Sequence, residues 1–255
     1  MIPLLIPAAL GLIGGYLLRD EKKYAKGGSV SGLLAPNGKS TSLTAEQWHL
    51  VRTPEFKAWF GDWENDPENA SKVVDENGEP LVVYHGTKEN GISIFEINLS
   101  GTVQYSDWGK AIYFTPSKYT AEYYSREAIK KSDSEYNRLY QVYERSNSWE
   151  DLKAFQNKGR ELSMNENTVI YSVFLNIRKP LVEIVDSMSY TDPYLSTTAL
   201  ERSRDGVFIK TSNGRLDEIL AFYPNQIKLA DGTNTTFDSN NPDIRFENGG
   251  YLKLK

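Results

Sequence analysis

The segment HGT, residues 85–87, places one of the two histidines of the chain directly after the apolar run PLVVY. Such a run is typical of a buried strand, so the imidazole lies where a strand ends. An imidazole followed by glycine and a hydroxyl suits proton transfer or the binding of a polar ligand. In the structural alternative, the histidine closes the strand and hydrogen-bonds a loop carbonyl.

Two familiar catalytic uses of such a histidine find little support. Two-histidine phosphoesterases need a second His-x-Ser/Thr motif, but the other histidine, His49, lies in the sequence HLV. A hydrolase with a nucleophile elbow needs a G-x-S-x-G motif, which the chain lacks. Neither reading therefore accounts for the HGT segment.

Composition excludes further classes of site. The chain has no cysteine, so thiolate nucleophiles, disulfides and cysteine-containing zinc sites are excluded. Two histidines argue against a multi-histidine metal centre, although carboxylates could hold a hard cation. The net charge of -5 gives no general electrostatic reason to bind nucleic acid, because that normally requires a basic face. We expect chemistry that needs no metal.

The N-terminal part of the chain predicts two non-globular segments. Residues 2–18 contain no charged residue, but they include two prolines and three glycines and have the minimum length of a membrane span. We predict that residues 1–24 form a hydrophobic segment that either anchors the chain in a membrane or packs on a partner protein. Residues 25–43 are rich in glycine and serine and predict a flexible linker.

Capping patterns and hydrophobic alternation predict the elements of the globular part, residues 44–232. Pairs such as Thr44 with Gln47 start short helices, and Thr115-Pro116 precedes a longer one. Short alternating runs predict strands of a mixed or antiparallel sheet. Residues 132–167 predict a helical insertion of one or two amphipathic helices. The polar tail, residues 233–255, lacks apolar positions for a core of its own, so it wraps the domain or extends from it.

Three segments, in order, resemble the catalytic segments of one enzyme family. They are YHGT, GKAIYFTPSKYTAEYY and LDEILAFYPNQIK. They resemble ADP-ribosyltransferases of the diphtheria-toxin and poly(ADP-ribose) polymerase branch, whose signature is His, Tyr and Glu on three strands. The flanking sequences, over roughly residues 44–245, are similar to the ADP-ribosyltransferase domains of phage and prophage polyvalent proteins. The resemblance implies an α+β fold in which a split, mostly antiparallel sheet surrounds an NAD cleft.

The resemblance also assigns roles in NAD binding. His85 would hold ribose hydroxyls of NAD, and the backbone of Gly86 would bond the nicotinamide amide, which the absence of a Cβ makes accessible. Thr87 stands where the family places a hydroxyl that bonds the carboxamide. Tyr113 would line the nicotinamide site, and Tyr124 would stack on the other face of the ring.

The catalytic acid implied by the resemblance is Glu218. Loss of nicotinamide leaves positive charge on the ribose, and a carboxylate facing that charge stabilises the transition state. Asp217 is the alternative, but adjacent residues of a strand face opposite sides, so only one can face the cleft. Leu216 stands where arginine-specific relatives carry Gln or Glu, which argues against arginine as the acceptor.

The resemblance thus implies an NAD-dependent ADP-ribosyltransferase that modifies a host macromolecule during phage infection. NAD is the implied substrate, no metal is implied, and the acceptor is expected to be a host protein, with a nucleic acid left open. The implied location is the host cytoplasm or the virion, with residues 2–18 as a candidate attachment to a membrane or virion. The alternative is a non-catalytic binding or structural module that keeps the same fold.

Overall fold

The computed structural model of the protein describes residues 32–97, 108–164, 167–186, 191–232, 234 and 237–245. The hydrophobic segment predicted for residues 1–24 lies outside these residues. In the part of the chain that is described, no helix has both the length and the apolar character that crossing a bilayer requires. The described elements are helices α1 (Ala45–Leu50), α2 (Pro54–Phe60), α3 (Lys118–Ser132), α4 (Ser134–Ser146), α5 (Trp149–Ser163) and α6 (Leu195–Glu201), and strands β1 (Val83–Thr87), β2 (Ile112–Phe114), β3 (Val169–Leu175), β4 (Pro180–Val185), β5 (Gly206–Thr211), β6 (Leu216–Ala221) and β7 (Ile227–Leu229).

Within the described residues the strands form two sheets. One has the order β1-β3-β7 and the other has the order β2-β6-β5-β4. All pairs are antiparallel except β4 with β5. The predicted α+β class with mostly antiparallel strands is therefore confirmed.

The two sheets meet at one isolated bridge between β1 and the end of β2. The Tyr84 N–H donates to the Thr115 carbonyl at 2.8 Å, and the Thr115 N–H donates to the Tyr84 carbonyl at 3.0 Å. The bridge joins the end of a strand that carries Tyr113 to the strand that carries His85. The bridge therefore fixes how far apart the predicted site residues His85 and Tyr113 lie.

The predicted caps start the helices, with one difference. Thr44 and Gln47 form the reciprocal capping box of α1, and Thr53 caps α2 ahead of Pro54. Helix α3 is capped by Ser117, whose side chain accepts from the Thr120 N–H. The prediction placed this cap at Thr115, but the backbone of Thr115 pairs with β1, so the chain enters the helix two residues later.

The segments on either side of the domain pack against it where they are described. Leu43 and Ala35 are buried, so the second half of the predicted linker is part of the packed structure. In the tail, Phe237 and Ile244 are buried, which corresponds to a tail that wraps the domain. The ammonium of Lys228 holds the tail by donating to the carbonyls of two of its residues, Asn241 and Asp243.

Helices α4 and α5 occupy the region predicted as a helical insertion. They pack on each other through aromatic rings, with centroids 4.6 Å apart for Tyr136 and Phe155 and 5.4 Å apart for Tyr140 and Phe155. Both helices lie within residues 132–167, and their status as an insertion into the domain stays a prediction.

Candidate active site

In the described residues, backbone hydrogen bonding between β1 and β2 ends at the bridge that joins them, and the unpaired stretch beyond it, at Gly86 and Tyr113, is called the gap between the two strands. Backbone groups alternate in direction along a strand, so Gly86 directs its N–H and C=O to the same side as Tyr84, toward β2. Within the described residues, however, no backbone hydrogen bond joins Gly86 to β2. The carbonyl of Tyr113, which would be its partner, accepts instead from Nδ1 of His85 at 2.8 Å. The backbone of Gly86 therefore faces the gap.

The imidazole of His85 is held in one orientation. Its ring packs against both Phe95 and Phe114, with centroids 5.0 and 5.6 Å away. Burial lowers the pKa of His85 from its usual value, and this outweighs the opposing effect of the bond to the Tyr113 carbonyl. A carbonyl can only accept, so Nδ1 carries the proton and the neutral ring keeps Nε2 as an acceptor.

The lowered pKa of His85 predicts a pH dependence of stability. A histidine whose pKa is lower in the folded state contributes stability above its unfolded pKa of about 6.5, and this contribution is lost as the pH falls. The difference in the free energy of unfolding between the wild type and His85→Gln should therefore decrease from about pH 7.5 to about pH 5. Denaturant unfolding of both proteins measures it, and a difference that stays constant with pH would contradict the prediction.

Gly86 has a structural reason to be glycine. A Cβ at this position would lie 1.7 Å from the carbonyl oxygen of Ala121 in α3. From the sequence, the missing Cβ is expected to let a ligand approach, but in the structure it leaves room for helix α3. The close contact brings α3, and with it Tyr124, against β1.

Ser125 anchors the same helix to the end of the β1–β3 ladder. Its fully buried hydroxyl donates to the Thr87 carbonyl at 2.6 Å and accepts from the Val169 N–H at 3.0 Å. The hydroxyl of Thr87 itself accepts from the Glu89 N–H at 3.1 Å and so stabilises the turn that follows β1. Helix α3 is thus fixed to β1 by close backbone packing and by one bridging hydroxyl.

Replacing Ser125 with alanine should destabilise the protein by roughly 1–3 kcal/mol, because the change leaves a partly buried carbonyl and a partly buried N–H without this partner. Thermal or urea unfolding measures the effect. The matched control is Ser132→Ala at the exposed end of the same helix, which we expect to change stability by about 0.5 kcal/mol or less. Equal effects of the two substitutions would show that the Ser125 bridge is not important for stability.

Glu218 lies in β6 and is a buried residue, with 8% exposure. The hydroxyl of Tyr124 donates to its Oε1 at 3.0 Å, and the indole N–H of Trp108 donates to its Oε2 at 2.8 Å. Neutral donors favour the ionised form of a carboxylate. The acid is therefore held by groups from two different parts of the chain.

Asp217, the other candidate acid, has different surroundings. The register shifts beside it, because Ile209 pairs with Glu218 and the next residue, Lys210, pairs with Leu216. Its side chain forms an ion pair with Arg215 at 3.3 Å. The Glu218 carboxylate bonds Tyr124 of α3, whereas the Asp217 carboxylate is partly exposed and pairs with Arg215.

Tyr113 is connected to the site through its hydroxyl as well as its carbonyl. The hydroxyl donates to the Gly109 carbonyl at 2.6 Å and accepts from the Trp108 N–H at 3.3 Å. Because the indole of Trp108 bonds Glu218, this one residue connects the pair His85 and Tyr113 with the pair Tyr124 and Glu218.

Trp108 is a site residue that was not predicted from the sequence. It lies in a turn just before the segment GKAIYF, and no helical or strand period marks it. Its position next to a matched motif was the only available signal.

Among the described residues, no group of three His, Asp or Glu side chains could hold a metal ion. The expectation of metal-independent chemistry stays a prediction.

Comparison with known proteins gives one match. A family model described as "ADP-Ribosyltransferase in polyvalent proteins" matches residues 75–237, which include all of the site residues described above. Searches of curated proteins and of solved structures found no significant match. The matched range covers more than half of the chain and holds all seven strands of the described structure. The chain therefore belongs to the family of ADP-ribosyltransferases found in polyvalent proteins.

Proposed function

We propose that the protein transfers ADP-ribose from NAD to a macromolecular acceptor, and that its site is of the His-Tyr-Glu type. The main support is the position of Glu218, whose two carboxylate oxygens accept from Tyr124 and Trp108 while Trp108 also bonds Tyr113. A buried, oriented carboxylate near a gap between two sheets suits the stabilisation of positive charge on a bound substrate.

NAD would bind along the gap between β1 and β2. The acceptor atom Nε2 of His85 would receive a hydrogen bond from a ribose hydroxyl, and the backbone N–H and C=O of Gly86 would bond the nicotinamide amide. Thr87 uses its hydroxyl oxygen to accept from Glu89 and can still donate its proton to the carboxamide oxygen. The rings of Tyr113 and Tyr124 would lie on either side of the nicotinamide.

Glu218 would act during cleavage of the bond between nicotinamide and ribose. The electron pair of that C–N bond leaves with nicotinamide, and positive charge develops on the anomeric carbon. The carboxylate faces this charge, which exists in the transition state more than in the ground state, so it accelerates the reaction. An acceptor nucleophile then forms the new bond to the same carbon and loses its proton.

The proposed acceptor is a host protein, encountered in the host cytoplasm or at the virion. Leu216 is partly buried against the core, so the position used by arginine-specific relatives offers no polar group for a guanidinium. We therefore propose an acceptor side chain other than arginine. A nucleic acid is the other class of acceptor that the assay below distinguishes.

The test incubates the purified full chain with NAD labelled on its adenylate part and with host lysate. Transfer predicts release of nicotinamide together with label on protein that survives nuclease but not protease. Label removed by nuclease would assign a nucleic acid acceptor, and nicotinamide release without any labelled macromolecule would reduce the activity to NAD hydrolysis. A folded protein that releases no nicotinamide would refute the enzymatic function and favour a non-catalytic module.

A further inference from the structure

We propose that Trp108 is a positioning residue for the catalytic carboxylate, an inference that depends on the proposed function of Glu218. Its indole N–H donates to Glu218 Oε2 at 2.8 Å, and the side chain is almost fully buried, with 2% exposure. An indole has one donor and no acceptor, so this bond can form only with an acceptor in that place.

The main chain of Trp108 is held on two sides. Its carbonyl accepts from the backbone N–H of Ser196 at 3.0 Å and from the hydroxyl of the same serine at 2.6 Å. Its N–H donates to the hydroxyl of Tyr113 at 3.3 Å. The turn that carries Trp108 is thus tied to the start of α6 and to β2.

The ring of Trp108 has little freedom of its own. It belongs to a buried apolar cluster that includes Leu195 and Ala199 of α6, Val207 and Ile209 of β5 and Leu220 of β6. Close-packed surroundings keep a side chain in one rotamer. The indole N–H is therefore a fixed donor, whose direction does not depend on a bound substrate.

The two donors to Glu218 differ in their setting. Tyr124 belongs to α3 and is expected to contact nicotinamide, so the position of its hydroxyl depends on what is bound. Trp108 contacts the carboxylate from the packed interior, on the other oxygen. Trp108 thereby holds one carboxylate oxygen in place from the interior, independently of the contacts that Tyr124 makes with a ligand.

Trp108→Phe removes the donor and keeps an aromatic ring in the cluster. We expect kcat for nicotinamide release to fall about 10-fold to 100-fold, with KM for NAD nearly unchanged, because a hydrogen bond to a charged group is lost. Without the donor, the carboxylate gains a proton more easily. In a plot of kcat against pH, the decrease of kcat on the acid side (the acid limb) should therefore move to higher pH.

Trp63→Phe is the matched control. Trp63 is also buried, with its indole N–H donating to the Val51 carbonyl at 2.9 Å, but it belongs to the cluster around α2. We expect a comparable loss of thermal stability from this substitution, with an unchanged kcat and an unchanged acid limb of its pH profile.

A second variant at the site itself carries 3-benzothienylalanine at position 108, which has the shape of tryptophan without the N–H.

The outcomes separate the positioning role from the proposed function. Nicotinamide release by the wild type, lost in Glu218→Gln, supports the function. If both position-108 variants then keep the wild-type kcat and acid limb, or lose activity only in proportion to the folded protein that they lose, the positioning role is wrong. If the wild type itself releases no nicotinamide, the proposed function fails, and the role of Trp108 fails with it.

Discussion

Glu218→Gln should lower kcat for nicotinamide release by about 10²-fold to 10³-fold and leave KM for NAD within a few-fold, because the carboxylate acts on charge that develops in the transition state. Glutamine has nearly the same shape but no charge. It can accept from only one of the two donors that hold the acid, Tyr124 and Trp108, since its other terminal atom is an amide nitrogen. We expect a loss of stability of about 1 kcal/mol from this change.

The matched control for this prediction is Asp217→Asn. It also replaces a carboxylate by a neutral amide, at the adjacent position. Asp217, however, is paired with Arg215 at the bulge. We expect its kcat to remain close to that of the wild type. Steady-state kinetics with a nicotinamide-release assay measures both variants, and unfolding curves show whether each is folded. If Asp217→Asn loses activity and Glu218→Gln does not, the assignment of the acid must be reversed.

Gly86→Ala should have the largest effect on the structure of the site. The new methyl group would lie 1.7 Å from the Ala121 carbonyl oxygen, so helix α3 and strand β1 would have to separate. Overpacking against rigid backbone costs roughly 3 kcal/mol, which corresponds to a decrease in Tm of roughly 6–12 °C for a domain of this size. Because α3 carries Tyr124, kcat should fall even at temperatures where the variant is folded.

The double variant Gly86→Ala with Ala121→Gly tests the origin of this effect. The clash is with the backbone carbonyl of residue 121, so removing its methyl group should not restore stability. Recovery of Tm in the double variant would show that the side chain of Ala121 was responsible. Wild-type Tm and activity in Gly86→Ala alone would mean that the close approach of helix and strand is not needed for the site.

Much of the fold could be predicted from the sequence because the signals are local. A hydroxyl or glutamine at a helix start acts within three residues, as the capping box of Thr44 and Gln47 does. Short alternating runs predicted strands of a mixed or antiparallel sheet for the same reason. Helix α6 was not predicted, since it has only seven residues and its N-cap, Tyr194, makes no side-chain capping bond.

The sequence by itself determined the order of the elements, the presence of the HGT, Tyr and Glu segments and the family that they indicate. Tertiary structure decided which groups meet. The bond from Trp108 to Glu218 joins residues 110 positions apart, and the hydroxyl of Ser125 bridges two strands. Such contacts depend on how sheets and helices pack, which no local period encodes. For the same reason, the requirement for glycine at position 86 became clear only when α3 was found against β1.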